Sequence, residues 1–304
     1  MNPTRLNDEL AVALTWLTRL PVQFPQEDGG SSPPPLRGRW PRSGRRGVQP
    51  EASDSKIGNK FGFADTPPPQ PSPLKGEGEK APSLADSAWA FPVVGAMVGT
   101  VAASVFVLVE WTGAPVLLAG VLAIATLTLL TGGLHEDGLA DFFDGLGARG
   151  GKAEKLAAMR DSRIGAYGVL ALIIVFAARV AAVASVDAAM SLVVICAFSR
   201  ATLVQVMLTS RLARPDGAAR NAGAPSAESR KVAAIIAFGL LAVWALLSGG
   251  ILEASIVALA GGGAAAWTIR RADRSFGGYT GDVLGAACLI SETAMLVALA
   301  IVAS

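Results

Sequence analysis

Histidine, cysteine and tyrosine are nearly missing from this chain of 304 residues, which holds one His, two Cys and two Tyr. The two cysteines, Cys196 and Cys288, lie inside apolar runs, with no CxxC pair and no metal-ligating side chain at suitable spacing. That excludes a disulfide framework and a zinc site, and leaves both as small core residues. Charge is scarce as well. Charged residues make up 16% of the chain, hydrophobic ones 52%, and the mean hydropathy is +0.47. Soluble domains usually carry charge on about a quarter of their residues, so an ordinary soluble domain is excluded. An excess of one sign is also lacking. The net charge of +2 singles out no partner, and no nucleic-acid partner is expected. No cleavable leader is expected, because the first apolar segment is short and carries Arg19 near its end.

What the chain does have is apolar runs of membrane-crossing length. Seven follow one another: 89–109, 114–131, 167–185, 189–209, 232–248, 251–269 and 283–303. Each is about as long as a helix needs to cross the hydrocarbon core. The expected fold is therefore all-α, a polytopic transmembrane bundle of about seven spans in a lipid bilayer. Gly95 and Gly99 form a GxxxG, and Gly261–Gly263 interrupt another run, so close helix approach is expected there. The loops 132–163, 210–231 and 270–281 carry Lys and Arg, whereas the turns near 111–113, 186–188 and 249–250 carry none. By the positive-inside rule the basic loops face the cytoplasm. A break in one span, or a membrane-crossing N-terminal helix, would change that parity.

Two segments precede the runs. Residues 8–22 read as an amphipathic helix too short to span, either lying in the membrane interface or packed against the rest of the protein. Residues 25–87 are rich in Pro, Gly, Ser and charge, with PPPLRG at 33–38 echoed by PSPLKG at 71–76. Such a composition buries too little surface to order itself, so a disordered insertion is expected. The organisation is then 1–24 interfacial segment, 25–87 insertion and 88–304 transmembrane catalytic domain.

The polar chemistry concentrates between Thr131 and Gly168. Asp137, Asp141 and Asp144 fall at i, i+4 and i+7, within about 60° of one helical face. Three anions on one face repel each other unless water or a cation intervenes. Oxygen ligands without cysteine or histidine suit Mg²⁺ or Mn²⁺ rather than zinc. The interleaved Gly138 and Gly145 leave room for a ligand or a backbone to approach. His135, the lone histidine, is either a base, a phosphate contact or a hydrogen-bonded structural residue. Next in the chain, Arg160 and Arg163 flank Asp161 and Ser162. Guanidinium forks suit phosphate oxygens, and plain anchoring at a helix start is the alternative. A metal together with arginine is how proteins neutralise a diphosphate during phosphoryl transfer.

Arg179 and Arg200 lie within apolar runs, where charges usually face a bundle interior or a polar cavity. Ser199-Arg200 reads as close to a substrate cavity, and Arg179 as a partner for a carboxylate such as Glu292. In the last polar loop, Gly278, Thr280, Gly281 and Asp282 stand at a helix entrance, able to bind phosphate through free N–H groups or a metal through Asp282.

The runs GGLHEDGLADFFDG (132–145), MRDSRIGAYGVLAL (159–172), Ser199-Arg200 and GGYTGDVLGA (277–286) resemble the cobalamin synthase family, adenosylcobinamide-GDP ribazoletransferase. Phe91-Pro92, Gly95 and LTRLPV (17–22) fit the same pattern, so the likeness covers about 8–24 and 88–300; the 25–87 segment departs from it. The resemblance implies a multi-pass enzyme of the cell inner membrane with its active site facing the cytoplasm. It implies transfer of the adenosylcobinamide phosphate moiety of adenosylcobinamide-GDP to α-ribazole, or its 5′-phosphate, with release of GMP and Mg²⁺ as cofactor. Asp137, Asp141 and Asp144 would then hold the metal. Arg160 and Arg163 would take charge on the leaving GMP, and a carboxylate or His135 would serve the attacking ribose hydroxyl. A membrane CDP-alcohol phosphotransferase fits less well, since Asp137-Gly138 is followed by Leu139-Ala140-Asp141. A secondary transporter using Arg179 and Arg200 is the non-enzymatic alternative, and a homo-oligomer stays open.

Overall fold

All seven apolar runs fold as helices. The computed structural model describes residues 3–18, 83–186, 188–214 and 223–303, which fall in one compact unit. Almost all of the 25–87 segment lies outside the described residues. The described helices are α1 (Pro3–Leu17), α2 (Phe91–Trp111), α3 (Val116–Thr131), α4 (Leu134–Gly147), α5 (Lys152–Ala158), α6 (Ala166–Val183), α7 (Ala188–Thr209), α8 (Ala227–Trp244), α9 (Gly250–Phe276) and α10 (Gly281–Val302). A 3-10 turn, Asp86–Ala90, leads into α2, and a π-helical stretch, Ala245–Gly249, joins α8 to α9.

Among the described residues, six helical segments are each long and apolar enough to cross a membrane: 86–111, 166–183, 189–209, 227–247, 250–276 and 281–302. The remaining run, 114–131, behaves differently. Helix α3 stops after 16 residues because Gly132 and Gly133 both take positive φ, +63° and +72°. Side chains with a Cβ rarely adopt that conformation. The chain turns by 90° there and continues as α4, so α3 and α4 make one bent unit rather than a straight span. This break points the carboxylate-bearing helix across the bundle instead of along it.

Small residues set the closest helix contacts. A Cβ on Gly99 would stand 2.7 Å from the Leu192 carbonyl oxygen, and one on Gly95 would stand 2.8 Å from the Ala197 Cα. The GxxxG of α2 is thus the seam against α7, where lipid-embedded helices gain dispersion contact. Gly261 serves α9 in the same way against Met295 of α10. Helix α1 packs on the bundle: Val12, Ala13 and Leu17 are buried, and Glu9 accepts a 2.6 Å hydrogen bond from the Trp89 indole.

The middle of the bundle holds charge. Arg179 of α6 pairs with Glu292 of α10, as the sequence suggested, and its other amino group lies 3.6 Å from Glu136 of α4. Arg200 of α7 pairs with the second oxygen of Glu292. Arg179, Arg200 and Glu292 have at most 2% of their surface exposed. Two arginines and two glutamates therefore tie four helices together, which is how intramembrane charge is normally tolerated.

Candidate active site

The polar loops meet at one end of the bundle. Tyr279 donates its N–H to the Arg211 carbonyl, and Ala213 returns a bond to the Tyr279 carbonyl, so segment 210–214 runs along 277–280. Gly278 has no space for a Cβ because the backbone of Arg211 and Ala213 lies against it. The Lys152 ammonium, at the start of α5, lies beside Gly277. This juncture is where α4 crosses the first turn of α10. A Cβ on Gly138 would stand 2.8 Å from the Asp282 carbonyl oxygen, and one on Gly285 would stand 3.2 Å from the Leu134 carbonyl oxygen. The two glycines let the helices touch backbone to backbone. Gly138 was expected to admit a ligand; what it admits is α10.

That crossing brings Asp282 to the acidic face of α4. The charge on Asp141 meets those of Asp282, Asp137 and Asp144, with Arg214 opposing them. Asp137 is exposed, and Asp141 and Asp282 are half-buried. Arg214 bonds Asp282 at 3.2 Å, and the charge of Arg160 reaches Asp282 as well. Arg214 was not among the residues the sequence singled out. It stood in a basic loop that was informative only for topology, and nothing local marks it as a partner of Asp282.

Asp144 does something other than expected. Its two carboxylate oxygens accept hydrogen bonds from the backbone N–H of Gly165 (2.7 Å) and Gly168 (2.8 Å). Those are the free N–H groups at the start of α6, which favour an anion. A Cβ at Gly165 or Gly168 would collide with the carboxylate, which accounts for both glycines in RIGAYG. Asp144 therefore fastens α6, and with it the Met159–Ile164 loop, to α4. Gly145 is likewise filled by protein, since a Cβ there would run into Met159.

The Arg160–Arg163 loop is exposed. Arg163 grips Asp161 through two bonds of 3.2 and 3.0 Å, and its own backbone N–H adds a third. These bonds hold the Asp161 carboxyl below the usual carboxylate range. Ser162 sits between them at the surface. Thr280 is the N-cap of α10, its hydroxyl accepting from the Val283 N–H at 3.3 Å and donating to Asp282 at 3.2 Å. Gly281 opens that helix. Ser199 and Arg200, expected beside a substrate cavity, lie in the bundle core: the Ser199 hydroxyl bonds the Cys196 carbonyl at 3.0 Å, and Arg200 is paired with Glu292. The intramembrane arginines that a transporter would offer its cargo are thus neutralised within the protein. His135, two residues before Asp137, projects from the opposite side of α4 and is buried.

Among the described residues, no three His, Cys, Asp or Glu side chains close round a metal ion by themselves. The donor set still suits Mg²⁺. That ion keeps several waters and binds through one or two carboxylates together with substrate phosphates, rather than in an all-protein cage. Asp137, Asp141 and Asp282 are hard oxygen donors whose charges oppose one another, offset on the protein side by Arg214.

A family model described as cobalamin-5-phosphate synthase matches residues 69–300. Similar proteins bear the name adenosylcobinamide-GDP ribazoletransferase. One from Bradyrhizobium diazoefficiens is 41% identical over 208 residues, 67% of this chain and 78% of its own. Another from Azorhizobium caulinodans is 37% identical, covering 73% of this chain and 86% of its own. A third from Xanthobacter autotrophicus is 42% identical, covering 67% and 80%. No solved structure matches the chain.

Proposed function

The chain belongs to the cobalamin-5-phosphate synthase family, and on that premise we propose that it is an adenosylcobinamide-GDP ribazoletransferase whose reaction takes place at the α4–α10 crossing. It joins adenosylcobinamide-GDP to α-ribazole or α-ribazole 5′-phosphate. The observation that carries this reading is the meeting of Asp137 and Asp141 of α4 with Asp282 of α10, beside Arg214 and Arg160. Carboxylates for a divalent cation and guanidinium groups for phosphate oxygens are what displacement at a diphosphate requires.

In the proposed reaction the ribose 3′-oxygen of the acceptor attacks the corrinoid-side phosphorus of the diphosphate. A P–O bond forms, the P–O bond to GMP breaks, and GMP leaves with the electron pair. Bound Mg²⁺, held by Asp141 and Asp282, would supply charge neutralisation at the diphosphate oxygens. The chain's own groups do the rest. Asp137, the exposed carboxylate, is placed to accept the proton of the attacking hydroxyl. Arg160 and Arg214 stand where the leaving phosphate gains charge, and Asp144 holds the Arg160 loop in register with α4. We place the protein in the cell inner membrane, with the basic-loop end and this site in the cytoplasm; the clustering of the Lys/Arg loops at that end supports the orientation.

The test is a product assay on the full chain in proteoliposomes. GMP should appear from adenosylcobinamide-GDP only when α-ribazole is added, should stop with EDTA, and should return with Mg²⁺. CMP release from a CDP-alcohol, or corrinoid uptake without GMP, would overturn the reading.

A further inference from the structure

Arg214 is placed unlike the other paired arginines. Arg179 and Arg200 are buried in the bundle against Glu292, and Arg163 is paired with Asp161 in an exposed loop. Arg214 instead bonds a carboxylate of the proposed metal site, its Nη2 lying 3.2 Å from Asp282 Oδ2. The same oxygen accepts from the Thr280 hydroxyl at 3.2 Å. The backbone leading to Arg214 is fixed. Tyr279 donates to the Arg211 carbonyl at 2.7 Å, Ala213 to the Tyr279 carbonyl at 2.9 Å, and the Ser210 hydroxyl to Asp273 of α9. The guanidinium therefore swings on an anchored stem. The side chains of Arg214 and Asp282 keep 15% and 17% of their surface. A single bond between groups that water still touches holds weakly and exchanges readily. The charge of Arg214 also reaches Asp141, which feels Asp282, Asp137 and Asp144 as well. Arg214 is thus a positive charge that the protein itself sets against the carboxylates.

We propose that Arg214 stands in for the metal ion in the free protein, and passes from Asp282 to the substrate's diphosphate when ion and diphosphate bind. This rests on reading the α4–α10 crossing as a site of displacement at a Mg²⁺-bound diphosphate; the identity of the acceptor does not enter. Electrostatics drives the exchange. A divalent ion at Asp141 and Asp282 sets two positive charges close to the guanidinium, and like charges at such range in a half-buried site repel strongly. The diphosphate removes the conflict, because its oxygens offer the guanidinium fork a bidentate partner. Neither ligand alone fares as well. The ion alone meets Arg214 as a competitor for Asp282, and the diphosphate alone meets an acidic face. The two therefore bind cooperatively, and one side chain carries much of the coupling. An acidic cluster with no internal cation would instead take up Mg²⁺ by itself and hold it between turnovers.

The experiment uses the purified full chain in detergent and needs no turnover. The EPR signal of free Mn²⁺ gives the affinity for metal alone, and calorimetry in Mg²⁺ gives the affinity for GDP, the probe for the diphosphate. Wild type is compared with Arg214→Gln and with Arg211→Gln, which removes the same charge from an exposed neighbour in the same segment. Arg214→Gln should bind Mn²⁺ at least fivefold more tightly than wild type, and GDP in Mg²⁺ at least tenfold more weakly. Opposite shifts in one variant do not come from misfolding, which weakens both. Arg211→Gln should change each affinity less than twofold. Mn²⁺ affinity unchanged or weakened in Arg214→Gln, an equal tightening in Arg211→Gln, or GDP affinity left intact would overturn the proposal. If the opposite shifts held while GMP release from adenosylcobinamide-GDP failed, the exchange would stand and the transferase assignment would fall. GMP release without those shifts would do the reverse.

Discussion

Asp141 and Asp144 are one turn apart and chemically identical, yet their surroundings give them different work. Asp141 faces the charges of Asp282 and Asp137, and in the proposed site it would hold the cation. Asp144 is satisfied by two backbone N–H groups. If Asp141 holds the metal as proposed, Asp141→Ala should leave the protein folded and lower GMP release by a hundredfold or more, since losing such a contact removes several kcal/mol from the transition state. Asp144→Ala should cost about 0.5–2 kcal/mol, the range for a lost helix cap. Its signature is faster proteolysis in Met159–Ile164 with Mg²⁺ dependence unchanged. Asp161 gives a pH prediction. Its carboxyl is held below the ordinary range by Arg163, so the Asp161–Arg163 contact is present at neutral pH and is lost only as pH falls below the ordinary Asp value of about 3.9. An NMR titration of the Arg163 guanidinium should show no change between pH 5 and 8.

At the scale of elements, the site exists because two helices touch without side chains between them. Gly138 and Gly285 permit that contact. Gly138→Leu should separate α4 from α10, moving Asp282 away from Asp141 and raising the Mg²⁺ concentration needed for half-maximal rate, an effect read directly from a metal titration. Gly239, with nothing near its missing Cβ, should tolerate alanine in the same assay. The α3–α4 break is equally consequential. A straight helix over 116–147 would have carried the aspartates into or out of the bilayer, whereas two glycines with positive φ turn them through 90° to meet the loops.

For the whole molecule, the buried Arg179–Glu292–Arg200 cluster with Glu136 joins α4, α6, α7 and α10. Removing one partner leaves an uncompensated buried charge. Glu292→Ala should lower stability by about 3–5 kcal/mol, measured as denaturant-induced unfolding in detergent. Replacing Glu292 and Arg179 together should cost less than the sum of the two single changes. The cluster gives the fold a fixed register, because each helix is pinned by a charge that has no alternative partner depth in lipid.

The sequence by itself determined the long apolar helices, the membrane class and the face shared by Asp137 and Asp141, but not the short helix α5 inside a loop or the Pro3 start of α1. These follow from local pattern: apolar length, and the 3.6-residue period. It also suggested the Arg179–Glu292 pair, since two opposite charges in apolar runs have few other solutions. Only the tertiary structure decided that Asp144 caps α6, that Ser199 and Arg200 belong to the core, that Arg214 bonds Asp282, and that His135 is buried in the bundle. Each of those assignments depends on what a distant segment places within about 3 Å of a side chain. Such partners come from helix crossings set by glycines at 138, 165, 168 and 285, and a one-dimensional pattern does not state which backbone each glycine will admit.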